Sequence, residues 1–99
     1  MAFVTAQPES LAAAASRLQQ VGSTLAAQHA ATATPMTGVE PAAADEVSFV
    51  TAAIFATHAQ TFQALSAQAD AMHQMFVATL ETSAGSYAAT EAANAAAAR

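Results

Sequence analysis

The stretch from Asp45 to about Ala84 has an apolar side wider than one neighbour can cover, and that width limits what the chain can fold into. Large apolar residues fall at Val47, Val50, Ile54, Phe55, Phe62, Leu65, Met72, Met75, Phe76, Val77 and Leu80. Stepped round a helix of about 3.6 residues per turn, they span an arc of roughly 200°. The opposite arc holds Asp45, Glu46, Gln60, Gln63, Asp70, Gln74 and Glu81, interrupted only by Phe49. A helix packed on one neighbour needs a stripe of about 100°. Twice that width predicts two neighbours.

The rest of the chain supplies one. From Pro8 to about Ala33, the positions Leu11, Ala14, Leu18, Val21, Leu25 and Gln28 alternate spacings of three and four. Such a narrow seam suits an antiparallel helix pair. Pro8 fits the first helical turn, where its missing N–H costs nothing, and Glu9 places a negative charge at the positive end of the helix dipole. Gly22 weakens this helix by about 1 kcal/mol relative to alanine but permits close helix approach. Thr34-Pro35 predicts its end, because the residue before proline avoids helical geometry. Residues 34–44, with Gly38 and Pro41, read as a loop. Asp45 is the expected N-cap of the second helix, and Gly85 its expected left-handed C-cap. Residues 1–7, with Phe3 and Val4, form a lead expected to be poorly ordered. Residues 85–99 form a flexible, alanine-rich tail with almost nothing to bury.

The expected architecture is therefore all-α: a single domain over 1–99, folded as an antiparallel two-helix hairpin with a long second helix. At 1.5 Å per residue the helices over 8–33 and 45–84 measure about 39 Å and about 60 Å. Folded together, Pro8 would lie near residue 71, leaving Met72 to Leu80 without intrachain cover. Each large apolar side chain left in water forgoes roughly 1.5–3 kcal/mol. An isolated hairpin of this kind is expected to be marginal or to self-associate.

Composition narrows the function. Charged residues are 9% of the chain, lysine is absent, and Arg17 and Arg99 are the only fixed cations against a net charge of −5. Nucleic-acid phosphates and anionic lipid both call for clustered Lys and Arg, so neither is an expected partner. Without cysteine there is no disulfide and no thiolate ligand. His29, His58 and His73 lack paired metal-ligand spacing, and no carboxylate pair completes a set. His58 falls in the apolar arc and reads as a hydrogen-bonded interface histidine, and His29 near the end of the first helix can face its dipole. No nucleophile elbow or phosphate-binding loop appears, and no small-molecule substrate is implied. Asp70, Glu81 and Glu91 read as a solvated face, and Met72 and Met75 as adaptable packing. No catalytic, metal or cofactor site is expected, so the chain does not read as an enzyme. It also shows no secretory signal and no membrane-spanning run, which makes the cytoplasm the default location.

Pro8-Glu9 near the start, a helical body of about a hundred residues, and Tyr87-Ala88-Ala89-Thr90-Glu91 near the end resemble the mycobacterial PE proteins. That family carries a Pro-Glu pair near the N-terminus and a Tyr-x-x-x-Asp/Glu export signal after the second helix. Pro41-Ala-Ala-Ala-Asp-Glu-Val-Ser48 and Ser86-Tyr-Ala-Ala-Thr-Glu-Ala-Ala-Asn94 are similar to the family as well. Either short motif carries little alone; both in register on an alanine-rich hairpin are fairly specific. The resemblance is to a PE domain without a long glycine-rich extension.

The resemblance implies a 1:1 heterodimer with a PPE protein, the two chains forming a four-helix bundle. It further implies a cytosolic chaperone held mainly by the PPE subunit, and export by a type VII (ESX) secretion system without a cleavable signal peptide. The destination would be outside the cell or the cell envelope. Tyr87 and Glu91 would carry the export signal, although residue chemistry by itself favours a solvated tail there. The partner interface would comprise Leu11, Leu18, Val21 and Leu25 of the first helix. From the second it would take Val47, Val50, Ile54, Phe55, Phe62, Leu65, Met72, Met75, Phe76 and Leu80. The competing expectation is a self-assembling or membrane-surface amphipathic protein; the acidic charge and missing lysines oppose its membrane form.

Overall fold

A computed structural model describes residues 5–99 of the chain. The expectation for Phe3 and Val4 lies outside those residues. The described chain is an all-α two-helix hairpin: α1 spans Pro8–Thr37 and α2 spans Glu46–Ala97. Both helices contribute to each of two compact units. One is Ser23–Met72, which contains the connecting loop; the other joins the described residues up to Gly22 with His73–Arg99.

The caps follow the sequence at the two starts. The Gln7 carbonyl accepts from the N–H groups of Ser10 and Leu11 at 3.0 and 3.4 Å, which puts Pro8 at the first helical position. Asp45 caps α2: its Oδ1 accepts from the Ser48 N–H at 2.8 Å and its Oδ2 from the Ser48 hydroxyl at 2.9 Å. These bonds, the backbone one first, hold the Asp45 carboxyl below its ordinary value.

The ends differ from expectation. α1 does not stop at Ala33 but runs through Pro35 to Thr37. Pro35 withholds one N–H, the one that would have bonded the Ala31 carbonyl a turn earlier, and the helix continues past it. The last turn closes instead with the Thr37 hydroxyl on the Ala33 carbonyl at 2.9 Å and the Gly38 N–H on the Thr34 carbonyl, also at 2.9 Å. Gly85 is not a C-cap. No described glycine has positive φ, and α2 continues past Gly85 to Ala97. The alanine-rich tail is helical, in line with its propensity rather than with its lack of contacts.

The packing seam is also not the expected one. In the Ser23–Met72 unit, the buried or half-buried positions of the α2 body are Ser48, Ala52, Ala56, Ala59, Gln63, Ser66 and Asp70. In the other unit they continue as His73, Val77, Leu80, Ser83 and Ala84. Apart from Ser83, these positions recur almost strictly every three or four residues, the signature of a coiled-coil seam. Its side chains are mostly small or polar. On α1 the matching positions are Leu11, Ala15, Leu18 and Gly22 in one unit and His29, Ala33 and Met36 in the other, whereas Ala14, Val21, Leu25 and Gln28 are exposed. Gln63 and Asp70 thus face the hairpin seam rather than the solvated arc. The expected overhang is absent too: Val77 is buried, Leu80 half-buried and Ala84 buried. His73 bonds to Leu18, and the same antiparallel step brings Ala84 level with about residue 8.

Candidate partner-binding surface

Two polar side chains of α2 fasten the seam, one in each unit. In Ser23–Met72, Gln63 Nε2 donates to the Ala33 carbonyl at 3.2 Å. In the other unit, His73 Nε2 lies 2.6 Å from the Leu18 carbonyl. A carbonyl only accepts, so that nitrogen carries the proton. The ring reaches α1 because Gly22 has no side chain: a Cβ there would stand 2.7 Å from His73 Cδ2 and 2.8 Å from Nε2. The close approach expected of Gly22 is thus made by a histidine ring. His29 does not serve the end of α1, which lies two turns further on; its ring meets Phe62 edge-on, with centroids 5.4 Å apart and planes at 86°. The sequence did not single out the pairings of Gln63 and His73. The three-four recurrence of small and polar residues along α2 is the signal that could have found them.

Because the seam takes the small residues, the large ones are left outside. In the Ser23–Met72 unit, Leu25, Val47, Val50, Ile54, Phe55, Phe62, Leu65 and Met72 are all exposed, from 42% for Phe62 to 75% for Val47. Around α2, Phe55 and Phe62 lie about 80° from the seam midline, Leu65 and Met72 about 130°, and Val47 and Ile54 about 180°. Val50, with the equally exposed Phe49 nearer the seam, falls on the other side. The outward stripe is therefore about 100° wide, the width one further helical neighbour requires. On the opposite flank stand Ala53, Gln60 and Ala67, all exposed. In the second unit, Phe76 and Met75 hold the same relation to their own seam and are exposed, as is Val21 on α1. Leu11, Leu18 and Leu80 are half-buried within the hairpin.

The stripe is not flat. Pro35, Met36 and Val39 face Phe55, His58, Ala59 and Phe62 across a groove of about 470 Å³. His58 is exposed at this groove, so the one polar side chain there remains open to a hydrogen-bond partner. Tyr87 and Glu91, one turn apart on α2, are both exposed; no described residue after Ala84 is buried.

For catalysis the arrangement offers little. Among the described residues no group of three or more His, Cys, Asp or Glu could hold a metal ion, and the chain has no cysteine. No described helix is long and apolar enough to cross a membrane.

Comparison with known proteins agrees with this picture. The profile described as "PE family" matches residues 4–94. The chain is 63% identical over 98 residues to PE family protein PE13 of Mycobacterium tuberculosis strain ATCC 25618 / H37Rv, covering 99% of both chains. It is 56% identical over 96 residues to the PE-PGRS family protein PE_PGRS33 of the same strain, where it spans only 19% of that protein. Against PE family protein PE8 of that strain it is 50% identical over 98 residues and spans 36% of the longer chain.

Proposed function

The chain belongs to the PE family, and from that premise we propose that it is a non-enzymatic subunit which pairs 1:1 with a PPE protein and is exported with it by type VII secretion. One observation carries the pairing: α1 occupies the small-residue side of α2 and leaves a full apolar stripe outward. Seven or more large side chains, each about half exposed, forgo together about 5–10 kcal/mol, comparable to the surplus stability of an ordinary domain. One partner helix laid on that stripe, and a second beside the exposed Val21 and Leu25 of α1, would complete a four-helix bundle. The interface would be built from Leu25, Phe55, Phe62, Leu65, Met72 and Phe76, with Val21, Val47, Ile54 and Met75 beside them. Leu11, Leu18 and Leu80, half-buried in the hairpin, would border that interface.

Export rests on Tyr87 and Glu91. In a segment made mostly of alanine, the one aromatic and the one carboxylate stand a turn apart, a pairing a receptor could read. Secretory machinery, and a chaperone held through the PPE subunit, would act on the assembled pair, which leaves the cytoplasm for the envelope or the exterior.

The test is co-expression with a PPE protein from the same genome, followed by mass measurement of the purified species. A 1:1 complex lost on Phe76→Asp is the expected result, because an unpaired carboxylate in an apolar interface is costly. Tyr87→Ala and Glu91→Ala should keep the complex and abolish its appearance outside the cell. The second reading is favoured by the same exposed stripe: two copies of the chain could cover each other. A stable homo-oligomer that no PPE protein disrupts would establish that reading instead.

A further inference from the structure

We propose that Gly85 is a positioning residue: a deliberate weak point in α2 that lets the segment 86–97 part from the packed helix so that Tyr87 and Glu91 can be engaged. The role in export rests on the reading above; the weak point itself does not. Three observations in the unit containing His73–Arg99 meet at this residue. Ala84 is the last buried position of the chain, and from Gly85 to Arg99 every residue is exposed. Gly85 has ordinary helical backbone, so no left-handed turn demands a glycine. A Cβ built there would meet nothing within 4 Å, so packing does not demand one either.

The contrast with Gly22 sharpens the point. There a Cβ would collide with the His73 ring, and the glycine has a structural reason. At Gly85 no such reason exists, yet the chain, a third alanine elsewhere, places its least helical ordinary residue at the junction. Beyond it lie twelve residues, 86–97, that end at the last helical turn and make no buried contact. A helix that short is marginal without packing. Glycine at its root disconnects it from the nucleated helix before it, because propagation across an exposed glycine is about four- to fivefold less favourable than across alanine. Opening of the tail therefore stays local and leaves the seam, including His73 and Val77, undisturbed.

Hydrogen exchange on the full chain and on the Gly85→Ala variant tests the weak point. Protection should fall abruptly after Ala84 in the native chain. Gly85→Ala should raise protection of the 86–97 amides about fourfold to fivefold without changing those before Ala84. Even protection across Gly85, or no change in the variant, overturns the proposal. Export of the complex tests the role. Gly85→Ala should reduce it with Tyr87 and Glu91 intact, and the double variant Gly85→Ala/Ser86→Gly, which moves the weak point by one residue, should restore it. Failure of that rescue means the glycine is read as a contact, which overturns the proposal. Normal export of Gly85→Ala beside blocked export of Tyr87→Ala overturns the role of Gly85 and leaves the export reading standing. Normal export of Tyr87→Ala removes both.

Discussion

His73 and Gly22 act as one feature, since the ring occupies the space that any larger residue at position 22 would fill. Gly22→Ala must displace the imidazole, so the bond to the Leu18 carbonyl breaks. A half-buried hydrogen bond of this kind contributes about 0.5–1.5 kcal/mol. The better helix propensity of alanine returns up to about 1 kcal/mol, so the single substitution should change stability little. The informative measurement is a double-mutant cycle with His73→Ala by chemical denaturation. The two substitutions should be non-additive by about 1 kcal/mol, with Gly22→Ala stabilising once the ring is gone. Additivity would mean the two residues do not cooperate. Asp45 offers a different handle. Its carboxyl is held below the ordinary value of 3.8 by Ser48, so the ionised form stabilises the folded state. That contribution is complete above the ordinary value and is lost as pH falls through the lowered, folded one. Asp45→Asn keeps an acceptor for the Ser48 N–H but has no charge to lose. Helix content of the native chain should therefore fall more steeply than that of the variant as pH drops below the ordinary carboxyl value of 3.8, read by circular dichroism.

At the level of α2, the helix carries two stripes of different chemistry, and the sequence shows the large-residue one more readily than the small-residue one. The run of large apolar residues, the N-cap at Asp45 and the start at Pro8 are legible because each depends on local spacing. The side that meets α1 is not, because large apolar residues usually mark the intrachain core. Here the core is alanine, with Gln63, Asp70 and His73 at its edge. Gln63 shows the consequence. Read as a solvated position it would accept a carboxylate without effect; placed in the seam, 3.2 Å from the Ala33 carbonyl, it cannot. Gln63→Asp sets an anion toward a carbonyl oxygen, with Asp70 lining the same small cavity. It should destabilise the hairpin by about 1–3 kcal/mol. Gln60→Asp, on the exposed flank, should stay within about 0.5 kcal/mol of the native chain. Equal effects in thermal melts would mean that the seam runs elsewhere. The two helix ends lie beyond the local termination signals: α1 passes Pro35 and closes with the Thr37 hydroxyl on the Ala33 carbonyl, and the alanine run carries α2 past Gly85.

For the molecule as a whole, the exposed stripe makes concentration a structural variable. Purified alone at micromolar concentration, the chain should sediment as self-associated species, and co-expression with a PPE protein should replace these with a single 1:1 complex. A lone chain that sediments as a folded monomer would place the apolar stripe outside any assembly role. The alanine seam has a further, calorimetric consequence. Unfolding raises the heat capacity in proportion to the apolar surface it newly exposes. Among the described residues the buried side chains are Ala15, Ala52, Ala59, Val77 and Ala84, so there is little such surface left to reveal. Melting a dilute single hairpin should therefore show a heat-capacity step well below the usual value of about 12–15 cal/mol/K per residue. The missing increment should reappear as a large negative heat-capacity change when a partner covers Phe55, Phe62 and Phe76. The thermal signature expected of one domain is thus divided between folding and assembly, and most of it belongs to assembly.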